Sequence, residues 1–107
     1  MTPEERAALV ALKDAVEAGE AILHPLPEWW SSQLWSHTVD ANIGSTDAAL
    51  ALLGAVLPGW WCELRISTRP RAIIGDLEAK AVEQAPTPAR ALLLAILAAL
   101  IEQEAQP

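Results

Sequence analysis

Residues 87–104 read TPARALLLAILAALIEQE, and this stretch has the strongest influence on the fold. Thr87 followed by Pro88 is typical of a helix start, because threonine caps the first turn and proline fits the first helical position. The predicted helix, residues 88–104, carries leucine or isoleucine on more than one stripe: Leu92, Leu93, Leu94, Ile96, Leu97, Leu100 and Ile101. A helix that is apolar on most sides is buried on most sides. It therefore lies at the centre of the protein, or a second copy of the chain covers one flank.

Upstream of this helix, residues 60–67 alternate as the residues of a β-strand do. One predicted face carries Trp60, Cys62, Leu64 and Ile66, and the other carries Trp61, Glu63, Arg65 and Ser67. Residues 68–70 predict a turn, and residues 71–77 predict a second strand that pairs with the first as an antiparallel hairpin. Because a lone hairpin is only marginally stable in water, helices or further strands must cover one of its faces.

Two more helices are predicted nearer the N-terminus. Thr2, Pro3 and Glu5 form a capping-box sequence that begins a helix over residues 3–18, and Gly19 is suited to end it. Ser45 or Thr46 caps another helix over residues 46–55. Residues 21–44 are irregular, with a short helix expected after Pro27. We therefore predict an α+β fold: a single domain, residues 1–107, in which helices cover a small antiparallel sheet.

Composition narrows the classes of function. Seven basic residues against fourteen acidic ones give a net charge of −7, which disfavours direct binding to nucleic acid. The longest apolar run, residues 91–101, is too short to span a bilayer, and the polar start of the chain does not resemble a signal peptide. With Cys62 as the one cysteine, we expect a cytoplasmic protein that has no contact with the membrane.

The order of these segments resembles a known family. Residues 44–52 read GSTDAALAL, residues 57–60 read LPGW before the hairpin, and residues 85–94 read APTPARALLL. Over about residues 43–101 this pattern is similar to that of the phage ABA-sandwich domain, a family of small phage and prophage proteins. Thr46 and Arg90 stand where that family usually has leucine. The resemblance implies a fold and a phage origin, and it carries no catalytic residues.

The residues give little support to enzymatic chemistry. His24, His37, Asp40 and Cys62 are the best set for a metal, but they lack the close spacing of known metal motifs. No serine sits in the glycine-flanked turn that exposes a nucleophile. Cys62 is most simply a small buried apolar residue. We expect a non-enzymatic protein without a cofactor or a metal site.

Two clusters are candidates for binding. Trp29, Trp30 and Trp35 lie off any regular core-facing period, so they either anchor a partner protein or fill the core in place of the absent Phe and Tyr. Arg65, Arg69 and Arg71 gather at the tip of the predicted hairpin. They either contact an anionic group or keep an exposed tip soluble and unsuited to edge pairing.

These observations lead to a hypothesis about function. We expect a phage or prophage accessory protein that binds a host or phage protein, with inhibition of a host defence system such as CRISPR as one role open to it. The alternative is a structural or virion-associated protein that forms a homodimer or larger homo-oligomer through the last helix.

Overall fold

The computed structural model describes residues 2–20 and 26–105. Four helices and three strands follow one another as α1 (Pro3–Ala18), α2 (Ser32–Asn42), α3 (Thr46–Val56), β1 (Trp61–Arg65), β2 (Arg71–Gly75), β3 (Lys80–Gln84) and α4 (Pro88–Ala105). The strands form an antiparallel sheet in the order β1-β2-β3. The predicted α+β class, with helices on a small antiparallel sheet, is confirmed.

The helix ends form where the sequence predicts them. The Thr2 hydroxyl accepts a hydrogen bond from the Glu5 N–H at 3.1 Å, and the Glu5 carboxylate accepts one from the Thr2 N–H at 3.0 Å. Helix α1 ends at Gly19, whose φ of 72° places it in the left-handed region that glycine adopts without steric cost. Ser45 caps α3 and Thr87 caps α4, each through its side-chain oxygen.

Helix α4 lies between the sheet and the other helices. It packs against β2 and β3 on one side and against α1, α2 and α3 on the others. All seven residues from Ala91 to Leu97 are buried, which is two full turns without a solvent-facing position. Of the two explanations for the all-round apolar sequence, central packing within one chain is the one that the structure shows.

The strands differ from the sequence-based prediction in length and in number. Strand β1 begins at Trp61 and ends at Arg65, so Trp60 precedes it and Ile66 lies exposed in the loop. Strand β2 ends at Gly75 because the Asp76 carboxylate accepts hydrogen bonds from the N–H groups of Glu78 and Ala79, at 2.8 and 2.7 Å, and forms a turn. The sequence does not predict strand β3, because Lys80, Ala81 and Glu83 have low β-propensity.

Trp30 belongs to the core. Only 6% of its surface is exposed, and its indole N–H donates a hydrogen bond to the Thr38 hydroxyl at 3.1 Å. Thr38, itself buried, donates in turn to the Leu34 carbonyl oxygen at 2.7 Å. Of the two alternatives for Trp30, core filling is the one that describes its place in the structure. Trp29 tilts against the Trp30 ring, with 5.3 Å between ring centroids, and stays 42% exposed.

We expect Trp30→Ala to lower the free energy of unfolding by about 3–5 kcal/mol, because it removes a large buried side chain and leaves a cavity. Trp29→Ala should cost about 1 kcal/mol, the order of an aromatic pair at a partly exposed site. Urea denaturation followed by circular dichroism measures both losses. Equal losses for the two variants would contradict the placement of Trp30 in the core.

Candidate functional site

The alternation of side chains along the strands produces two different sheet faces. Cys62, Leu64, Ala72, Ile74, Ala81 and Glu83 point toward α4 and are buried or half-buried. The other side chains point away from α4, and the register places them in three rows across the strands: Trp61, Gly75 and Lys80; Glu63, Ile73 and Val82; Arg65, Arg71 and Gln84. No described helix covers this second set, which we call the open face.

An apolar patch occupies part of the open face. Trp61 is 46% exposed and Val82 is 44% exposed, and Ile73 stands beside Val82 in the row next to that of Trp61. Gly75 makes the position of Trp61 possible, since a Cβ atom there would lie 2.7 Å from the Trp61 ring and 2.8 Å from the Ala79 carbonyl oxygen. The indole therefore lies close over bare backbone rather than over a side chain.

Basic residues surround this patch. Arg65, Arg71 and Lys80 stand on the open face, and Arg69 lies in the adjoining β1–β2 loop, so four of the seven basic residues collect here. Glu63 is the acidic residue among them, and one of its carboxylate oxygens is 3.5 Å from the Arg65 guanidinium. The predicted cluster of Arg65, Arg69 and Arg71 thus lies together on one side of the molecule. Whether it binds an anion stays a prediction.

A groove of about 670 Å³ opens beside this cluster, between the end of α1, the β3 edge and the start of α4. Arg69, Arg71 and Arg90 line it, and we call it the arginine groove. A guanidinium N–H of Arg90 donates to the Val16 carbonyl oxygen near the end of α1, where a positive charge is favourable. Arg90 thus joins α4 to α1.

Two carboxylates, Glu17 and Glu83, also line the arginine groove, and Lys13 forms an ion pair with each. The Lys13 ammonium is 2.7 Å from Glu17 and 3.9 Å from Glu83. Burial raises the pKa of Glu83 above its ordinary value; Lys13 opposes this rise and Glu17 adds to it. Burial would lower the pKa of Lys13, but the hydrogen bond that Lys13 donates to Glu17 and the charges of Glu83, Glu17 and Asp14 outweigh it and raise that pKa.

The remaining predicted residues do not form a site. Trp35 is half-buried against the core, and Trp29 is the most exposed of the three predicted tryptophans. Burial raises the pKa of the half-buried Cys62 thiol, which disfavours the reactive thiolate. Among the described residues no His, Cys, Asp and Glu side chains group as metal ligands, and His24 lies outside those residues. No helix within the described ranges is long and apolar enough to cross a membrane.

Sequence reasoning missed the contributions of Ile73, Lys80, Val82 and Arg90. The period-two pattern did place Trp61 and Cys62 on opposite faces of the sheet, and that pattern was the one available signal for the open face. Comparison with protein-family models, with curated proteins and with solved structures finds no match for this chain. The resemblance to the phage ABA-sandwich domain therefore stays a prediction.

We expect Glu83→Gln to stabilise the fold at neutral pH. Because the folded state raises the pKa of Glu83, it binds that proton more tightly than the unfolded chain, so ionisation of this carboxyl costs stability as pH rises through the raised pKa. The advantage of the glutamine variant should fade as pH falls below the ordinary glutamate value of about 4.3. Thermal unfolding across this pH range measures it.

Glu63→Gln is the matched control, since Glu63 is exposed on the opposite face of the same sheet. It should leave the unfolding temperature nearly unchanged. A loss of stability in Glu83→Gln at neutral pH would mean that the attraction of Glu83 to Lys13 outweighs its burial, contrary to this account.

Proposed function

We propose that this chain is a non-enzymatic binding domain that acts by protein–protein contact through its open face. The observation that carries the proposal is the apolar patch of exposed Trp61 and Val82 and half-buried Ile73, on a sheet face that no described helix covers. Tryptophan and arginine are the residues most enriched among binding hot spots. An apolar centre with a charged rim is the usual composition of an interface.

The partner that best fits this face is a different protein rather than a second copy of the chain. A two-fold dimer through the open face would bring the basic rim of one copy, Arg65, Arg71 and Lys80, against the basic rim of the other, and like charges that face each other are unfavourable. The last helix offers no better dimer surface, because residues 91–97 are already buried within one chain. A virion-associated homo-oligomer therefore ranks second, below binding to a different protein.

A phage origin rests on the sequence resemblance alone. If it holds, the partner is a host or phage protein, and inhibition of a host defence system such as CRISPR is a role in keeping with a small domain that works by contact. The net charge of −7 supports a protein partner over nucleic acid, since most of the surface repels a polyanion.

The test uses tagged wild-type protein, Trp61→Ala and Trp29→Ala to capture proteins from a bacterial lysate. The two tryptophans are matched, at 46% and 42% exposed, but Trp29 lies away from the sheet. We expect a protein that wild type and Trp29→Ala retain and that Trp61→Ala loses by about tenfold or more, the effect of removing a hot spot. Circular dichroism checks that both variants fold.

Three outcomes would contradict the proposal. Equal capture by wild type and Trp61→Ala would remove the open face from the interaction. Loss of the captured protein with Trp29→Ala alone would place the binding site at Trp29, Trp30 and Trp35, the cluster that the sequence predicts. Capture of no protein by the wild type would argue against a binding function.

A further inference from the structure

The arginine groove is continuous with the open face. Arg71 and Val82 belong to both surfaces: each stands in an outward-pointing row of the sheet, and each also lines the groove. A partner that covers the apolar patch of the open face therefore reaches the groove without leaving the surface. The chemistry of the groove then constrains what that partner can present.

The three arginines that line the groove have no anionic partner among the described residues. Lys13 engages Glu17 and Glu83, the two carboxylates on the groove wall. No described carboxylate lies within 4.0 Å of a nitrogen of Arg69, Arg71 or Arg90, although acidic residues outnumber basic ones two to one in the chain. The groove thus keeps three guanidinium groups for an external anion in a protein whose own acids are in excess.

One of these arginines is held in place before any ligand arrives. Arg90 donates to the Val16 carbonyl oxygen, so its side chain is fixed between α4 and the end of α1. Its Nε atom is buried and finds no acceptor among the described residues. A cation whose side chain is already ordered loses less conformational entropy when it binds a carboxylate.

From this charge distribution we infer that the partner presents an acidic segment, with apolar residues on the open face and carboxylates in the arginine groove. The inference rests on the proposed function and adds the chemistry of the partner to it. Guanidinium groups bind carboxylates through paired, charge-assisted hydrogen bonds, which a planar arginine fork suits. A nucleic-acid strand fits less well, because its regular phosphates would pass Glu17 and the acidic surface of α1.

The probe is a short fluorescent peptide of alternating leucine and glutamate, with its leucine–glutamine counterpart as the neutral control. We expect the acidic peptide to bind the wild type and the neutral one to bind at least about tenfold more weakly, the usual scale for charge-assisted pairs. Binding of the acidic peptide should weaken as salt rises. Fluorescence anisotropy measures all these affinities.

The decisive variant combines Arg69→Gln with Arg71→Gln. Both side chains reach the surface, and replacing them leaves the contact of Arg90 with α1 intact. This double variant should bind the acidic peptide about tenfold more weakly than the wild type does. Arg6→Gln is the matched control: Arg6 is exposed on α1 and lines neither the arginine groove nor the open face, so its loss should change affinity less than about twofold.

The outcomes separate this inference from the proposed function. Three results would overturn the inference that the partner presents an acidic segment. They are unchanged binding by the double variant, equal binding of both peptides, and tighter binding of a single-stranded RNA of similar length. No binding of the acidic peptide to the wild type would also overturn it, while the Trp61→Ala capture result would stand by itself. Peptide binding that needs Arg69 and Arg71 but survives Trp61→Ala would support the groove and contradict the open face.

Discussion

The burial of α4 on all sides is the constraint on which the rest of the structure depends. Seven consecutive residues, 91–97, have no solvent-facing position, so cover must come from every direction. The sheet supplies it on one side, and α1, α2 and α3 supply it on the others. Because α4 takes up one face of a three-stranded sheet and the other helices lie beyond α4, the second face of the sheet stays open.

Charge is distributed unevenly around this centre. Eight of the fourteen acidic residues lie in the helices, and Lys13 of α1 pairs with Glu17 on the same helix and with Glu83 of β3. Four of the seven basic residues lie on the open face or in its β1–β2 loop, and Arg90 faces the same region from α4. A protein of net charge −7 thus presents one basic, partly apolar surface. Such a surface favours one orientation of approach and a partner of opposite charge.

Local signals in the sequence were enough for the helices but not for the binding surface. Cap residues and apolar periodicity predicted α1, α3 and α4 to within a residue, because these signals act over a single turn. Local signals do not predict strand β3, because its polar residues are stabilised by pairing with β2 and not by their own β-propensity. Trp30 depends on Thr38, and Arg90 reaches Val16 from 74 residues away; neither contact leaves a local pattern.

Native-state hydrogen exchange of the α4 amides tests the central claim most directly, namely that one chain covers this helix completely. If one chain covers α4, residues 91–97 exchange only through global unfolding, so that they are the slowest amides, at rates independent of protein concentration. Exchange faster than that of α1, or protection that grows with concentration, would contradict it. The second result would mean that another copy of the chain completes the cover of α4.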